Sequence, residues 1–132
     1  MRVLIVEDEQ VNQTLMLSWL KQYGSCQVAK DGVEAVVEVT RALEAAEPFD
    51  LICLDLRMPN MDGQTALRTI RALEKLHGRG LGEGAKVMVV SAEGERETIL
   101  SAYRDNCDGY LVKPIDGLKL REELQKLELI PG

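Results

Sequence analysis

The chain has few aromatic side chains, one histidine and no cysteine pair at a metal or redox spacing, and each shortage argues against a class of function. Phe, Tyr and Trp make up 4% of the 132 residues. Trp19 and Tyr23 have no basic groove beside them, so they read as core or helix-face residues rather than a platform for stacked bases. Positive charge is also short: 16 Lys and Arg against 22 Asp and Glu leave a net charge of −6. Direct nucleic-acid binding, which needs a gathered basic face, is therefore not expected. Cys26, Cys53 and Cys107 are odd in number, lack CxxC or Cys/His spacing and lie in or beside apolar segments, the pattern of buried reduced thiols. The lone histidine, His77, adjoins a glycine-rich stretch and reads as a solvated helix-end residue. No run approaches the roughly 18 apolar residues of a membrane span. Glu7 follows the start too closely for a signal peptide, so the expected location is cytoplasmic with no membrane insertion.

What is present is apolar patterning. With 45% hydrophobic residues, a chain of this length fits a single domain over residues 1–132 with a core of its own. Five apolar segments, Val3 to Val6, Cys26 to Ala29, Leu51 to Leu54, Val87 to Val90 and Tyr110 to Val112, are mostly continuous, as strands covered on both faces require. Helical periodicity fills the intervals. Val11, Leu15, Trp19 and Tyr23 mark one face; Val36, Val39, Leu43 and Ala46 a second; Ala66, Leu67, Ile70 and Leu73 a third. Ile99, Ala102 and Tyr103 mark a fourth helix, and Leu120, Leu124 and Leu127 a fifth. The reading is a (βα)₅ α/β fold with a parallel sheet, right-handed crossovers, helices on both faces and all strand C-termini at one edge. Residues 77 to 84, with four glycines, do not open a helix after a strand and carry no Lys-Ser/Thr pair, so they are a flexible connection rather than a phosphate loop.

Chemistry gathers at the predicted strand ends: Glu7 and Asp8 after the first segment, Asp55 after the third, Ser91 after the fourth, Lys113-Pro114 after the fifth. Three carboxylates brought together repel unless a cation or protons neutralise them. A hard divalent ion such as Mg²⁺, which takes oxygen ligands and combines one or two carboxylates with phosphate oxygens, answers that need; no His/Cys set competes for zinc. Lys113 supplies a mobile positive charge and Ser91 a hydroxyl. With an incoming phosphoryl group so neutralised, the Asp55 carboxylate can attack phosphorus in line and form an acyl phosphate. Glu9 reads as a first-turn helix acid rather than a ligand.

The run Asp55-Leu56-Arg57-Met58-Pro59-Asn60-Met61-Asp62-Gly63, with Val6-Glu7-Asp8-Glu9, Ser91-Ala92 and Lys113-Pro114, resembles the receiver domain of two-component response regulators over essentially the whole chain. The resemblance implies a flavodoxin-like strand order 2-1-3-4-5. It also implies that Asp55 is the phosphoacceptor, and that Asp8, Asp55 and the backbone carbonyl of Arg57 bind Mg²⁺ with Glu7 assisting. Ser91 and Lys113 would contact the phosphoryl group, and a cis Lys113-Pro114 peptide would aim the lysine inward. Tyr110 matches the switch aromatic that turns inward as Ser91 moves. Arg57 and Glu93 occupy positions associated with tuning dephosphorylation. Glu7 and Ser91 replace the more frequent Asp and Thr while keeping their functional groups. The implied partners are a sensor histidine kinase or a histidine phosphotransfer protein, and an unidentified downstream protein. The last apolar stripe ends at Leu127, so output is expected through another protein unless the chain is a fragment of a larger one.

Three other readings compete. An aspartyl-phosphate phosphatase of the haloacid-dehalogenase kind would place D-x-D after the first strand, whereas here the nucleophile candidate follows the third and Arg57 stands where the second Asp would act. A phosphorylation-independent interaction module is disfavoured because every catalytic position is filled. A flavin module would need a phosphate-cradling loop where Glu7-Asp8-Glu9 would instead repel phosphate.

Overall fold

The computed structural model describes residues 1–132, and in it the five apolar segments lie side by side. Strands β1 (Arg2–Val6), β2 (Ser25–Ala29), β3 (Leu51–Leu54), β4 (Lys86–Ser91) and β5 (Gly109–Val112) alternate with helices α1 (Gln10–Leu20), α2 (Gly32–Glu44), α3 (Gly63–Leu76), α4 (Arg96–Arg104) and α5 (Gly117–Lys126). The sheet order is β2-β1-β3-β4-β5 with every pairing parallel, as the sequence and its resemblance implied.

The alternation of side chains along a strand explains the continuous apolar runs. Val3 and Ile5 of β1 face a core shared with Met16 and Leu20 of α1 and Leu120 and Leu124 of α5. Their neighbours Leu4 and Val6 face the opposite core, with Val39 of α2, Leu67 and Ile70 of α3 and Ala102 of α4. Coverage on both faces holds for β1, β3 and β4. The edge strands depart from it: Ser25 in β2 is exposed, Cys26 to Val28 are half-buried, and Val112 in β5 is 40% exposed. A strand with a neighbour on one side only lies at the margin of the helix layers, so continuous apolarity overstates its burial.

The apolar face expected for α1 is corrected. Val11 is 71% exposed and Leu15 43%, while Met16 and Leu20 are buried. Each i+4 step advances about 40° around the helix, so four residues so spaced spiral off a flat sheet. Tyr23 falls beyond the helix end, though it and Trp19 pack at the margin of the core. Ala46 likewise lies past α2, and Tyr103 is exposed while Ala102 takes the buried place on α4.

The glycine-rich connection is also more ordered than a flexible linker. The Arg79 side chain donates to the Glu83 carbonyl from Nε and Nη2 at 3.0 and 2.8 Å, and Gly80 N donates to Glu83 Oε1 at 2.9 Å. Buried Glu74 accepts from Ala85 N and Arg71 Nη1, both at 2.7 Å. Arg71 in turn reaches the Asn106 carbonyl and Asp108 Oδ2. This network closes the sheet edge opposite the strand C-termini.

Asp31, Asp62 and Asp116 cap α2, α3 and α5 by accepting from Glu34 N, Thr65 N and Lys119 N, each satisfying a helix-start donor. Glu9 and Glu95 precede α1 and α4 without a side-chain cap. His77 sits exposed at the end of α3, as its position suggested.

The corrected α1 face predicts unequal costs in urea unfolding: Leu20→Ala should lose about 2–5 kcal/mol, and Val11→Ala less than about 0.5 kcal/mol. Equal losses would restore the 11/15/19/23 face. Thiol alkylation offers a second check, because burial pushes the Cys107 thiol up to about 12 and the Cys53 thiol higher still. Only half-buried Cys26, whose thiol burial raises less, should react in the native protein near pH 8, with all three reacting in urea.

Candidate functional site

Three of the strand-end residues that carry chemistry are each fixed by one more rung of the parallel ladder. Glu7 N donates to Ala29 O at 3.0 Å, Asp55 N to Val6 O at 3.1 Å and Lys113 N to Ser91 O at 2.8 Å. The backbone thus delivers side chains from β1, β3, β4 and β5 to one edge, where an open parallel sheet places its crevice.

Lys113 Nζ donates to Glu7 Oε1 at 2.8 Å and to Asp55 Oδ2 at 3.1 Å. Glu7 and Asp55 are 4% and 8% exposed, whereas Asp8 is open to solvent. One carboxylate oxygen from each of the three lies within 4.8 Å of the others. Burial is the largest influence on Glu7 and raises its carboxyl above the usual range, against the pull of Lys113 and the Glu9 N–H. Burial also acts to lower the Lys113 ammonium, but its bonds and charge attraction to Glu7 and Asp55 outweigh it and leave the ammonium raised. The site is therefore an acidic cluster with one protonated lysine in it.

The β3–α3 turn shapes the other side. Arg57 N donates to Asp55 Oδ1 at 3.2 Å, and Gly63 N closes the turn on Leu56 O at 2.9 Å. A Cβ at Gly63 would lie 2.2 Å from Asp55 O and 2.7 Å from Leu56 Cα, so only glycine permits that approach. The Arg57 side chain crosses to pair with the Glu93 carboxylate. Glu93 also donates its N–H to Ser91 Oγ at 3.1 Å and accepts the Tyr110 hydroxyl on its carbonyl at 2.5 Å. Ser91 is fully buried and its hydroxyl engages the Glu93 amide rather than Asp55. Half-buried Tyr110 packs against the α2/α3 core. The Lys113–Pro114 peptide is cis.

An apolar groove of about 400 Å³ runs beside the carboxylates, walled by Leu15, Met16, Trp19 and Ile115, with Asp55 and Lys113 at its polar end. Exposed Leu15, misplaced by the sequence reading, lines this groove instead of the core. Two polar contacts escaped the sequence. Gln13 Nε2 donates to Glu7 O at 2.7 Å, and Asn60 Nδ2 donates to Asp31 Oδ2 at 2.8 Å. The turn residues Asp31-Gly32 and Pro59-Asn60 were legible singly, but nothing in one sequence pairs them.

The donor set suits a hard divalent cation. Its clustered ligands are carboxylate oxygens, two held nearly out of water, with neither His nor Cys among them, which fits Mg²⁺ rather than zinc.

Comparison with known proteins agrees with this geometry. The family model described as "Response regulator receiver domain" matches residues 3–125. The two-component response regulator ORR41 of Oryza sativa subsp. japonica is 34% identical over 128 residues, covering 97% of this chain and 94% of the relative. The receiver domain of the histidine kinase CKI1 from Arabidopsis thaliana, solved in complex with Mg²⁺ and BeF3⁻, superposes with a TM-score of 0.78 at 29% identity, covering 95% of this chain and 89% of that one. The receiver domain of a sensor histidine kinase from Pseudomonas aeruginosa, with a magnesium ion coordinated in its active-site cleft, gives a TM-score of 0.77 at 28% identity, covering 95% and 94%.

Removing the lysine should expose the cost of the cluster. Lys113→Met leaves the Glu7 carboxylate buried without its cation and should destabilise the metal-free protein by about 3 kcal/mol in urea unfolding. The double variant Glu7→Gln/Lys113→Met should recover at least half of that loss. Additive losses would show that the two groups do not depend on each other.

Proposed function

The chain belongs to the response regulator receiver domain family, and on that premise we propose that Asp55 is its phosphoacceptor. The observation that carries this assignment is the Lys113 ammonium bonded at once to Glu7 and Asp55 at the C-terminal edge of the sheet. A receiver domain of two-component signalling takes its phosphoryl group from a phosphohistidine, here one on a sensor histidine kinase or histidine phosphotransfer protein. In the transfer an Asp55 carboxylate oxygen forms a bond to phosphorus as the phosphorus–nitrogen bond to the donor imidazole breaks, and the imidazole keeps that electron pair. Asp55 is suited to the role because its strand fixes it and its turn leaves one face open to the crevice.

Lys113 follows the developing charge from its place between Glu7 and Asp55 onto a phosphoryl oxygen, and Ser91 Oγ donates to another once it leaves the Glu93 amide. Asp8, Asp55 and the Arg57 carbonyl, with Glu7 assisting, hold Mg²⁺, a reading supported by the all-oxygen donor set and by the magnesium in similar receiver structures. When bound, the ion neutralises the carboxylate cluster and the incoming phosphoryl oxygens. The chain assists its own phosphorylation and dephosphorylation and has no separate turnover substrate.

Signalling requires a change that a partner can distinguish. Ser91 and Tyr110 both bond Glu93, so withdrawing the Ser91 hydroxyl toward a phosphoryl group loosens the same residue that anchors Tyr110. The surface of α4, β5 and α5 then presents a different face to a downstream protein. No helix is long and apolar enough to cross a membrane, and a cytoplasmic location suits the phosphodonor chemistry.

Incubation with acetyl phosphate and Mg²⁺, followed by intact mass measurement, should show one labile phosphoryl adduct. The adduct should be absent in Asp55→Asn and in chelator. A stable adduct, or one that survives Asp55→Asn, would contradict the assignment.

A further inference from the structure

The turn that follows β3 contributes more than Asp55, because the Arg57 carbonyl lies within it. Its two ends are fixed: Leu56 by the bond from Gly63 N, and Asp62 by its own cap on α3. Its apex is held by a separate element. Asn60 adopts a left-handed backbone with φ 69°, a conformation that Asn tolerates better than most residues. From there its side-chain amide reaches Asp31 Oδ2 at 2.8 Å. Asp31 is 4% exposed, and its other oxygen caps α2 through Glu34 N at 2.8 Å. Those two donors, the Glu34 amide first and the Asn60 amide second, hold the Asp31 carboxyl below its usual range. Contact continues beside the bond: a Cβ on Gly32 would stand 2.6 Å from Met61 O. The start of α2 and the apex of the turn therefore meet backbone to backbone, with one charge-assisted hydrogen bond spanning residues 29 apart in the chain.

We propose that Asp31 and Asn60 are positioning residues for magnesium, stapling the β3–α3 turn to α2 so that the Arg57 carbonyl is already set toward the carboxylate cluster. This inference rests on the magnesium site of the proposed function. With Leu56, Asn60 and Asp62 anchored, Arg57 N bonded to Asp55 Oδ1 and Pro59 O accepting from Met61 N at 2.8 Å, little freedom remains for the Arg57 carbonyl to lose on binding. Without the staple that ordering falls to the ion, and affinity drops by the same amount. Neither residue touches the ion, and neither is required for phosphoryl chemistry once it is bound.

Magnesium affinity is measured by titration calorimetry on the full chain, alongside thermal unfolding in chelator. Asn60→Gly keeps the left-handed backbone and deletes the amide. Asp31→Ser keeps a capping oxygen on α2 but is too short to reach Asn60. Both should weaken magnesium binding by about fivefold, the worth of a typical hydrogen bond, and raise the magnesium needed for half-maximal phosphorylation by acetyl phosphate by a similar factor. The rate at saturating magnesium should be unchanged. Asp31→Asn, whose amide can still pair with that of Asn60, should retain more affinity than Asp31→Ser. Wild-type affinity in Asn60→Gly would overturn the inference while leaving the magnesium site intact. Absence of saturable magnesium binding in the wild-type chain would overturn the site itself and the staple with it.

Discussion

The ammonium of Lys113, held between Glu7 and Asp55, is the contact on which the rest of the site depends. A parallel sheet brings the ends of β1, β3 and β5 together whatever side chains they carry, and here it gathers three carboxylates within 4.8 Å. Two of them are nearly buried, where unpaired charge is costly. One lysine offsets part of that charge and leaves an excess. That excess suits a hard divalent cation, and on the proposed function the cation would in turn offset the charge of an incoming phosphoryl group.

Around this centre the structure divides into parts that are held and parts that are free to respond. α2, α3 and α5 start on aspartate caps, while α1 and α4, which begin beside the site, do not. Glu93 stands where the responsive parts meet, because its amide, carbonyl and carboxylate engage Ser91, Tyr110 and Arg57 in turn. On the proposed function, a new anion on Asp55 would draw on both Ser91 and Arg57, and so act on Glu93 from two directions. The Arg71 network at the opposite edge has no such competition and keeps the far end of α3, the entry to β4 and the turn before β5 in place.

The strands were legible because helices cover both faces of β1, β3 and β4, which makes apolarity continuous and hard to mistake. Their order was legible only through resemblance, since nothing in an apolar run states its neighbour. The site residues were legible as types at strand ends, and the structure brings Glu7, Asp8, Asp55 and Lys113 together; Ser91 ends the strand beside them, its Oγ accepting from the Glu93 amide. What escaped had physical reasons. The α1 face was misread because a row at i+4 spirals, and because Leu15 and Trp19 serve a groove beside the site as well as the core margin. The Asp31–Asn60 and Arg71–Asp108 contacts join residues 29 and 37 apart, and polar pairs at such separation leave no periodic trace. The glycines after α3 suggested freedom, yet Arg79, Glu83 and buried Glu74 supply bonds that composition alone does not reveal.

If charge chemistry at Asp55 is transmitted through Glu93 to Tyr110, backbone amide NMR of the labelled chain will follow it as Mg²⁺ and then beryllium trifluoride, a phosphoryl mimic, are added. Mg²⁺ alone should shift the amides of Glu7 to Glu9 and of Arg57. The mimic should extend the shifts to Ser91, Glu93, Tyr110 and Lys113, and that second set should be lost in Asp55→Asn. Shifts confined to the carboxylates after both additions, or a second set that persists in Asp55→Asn, would contradict that transmission.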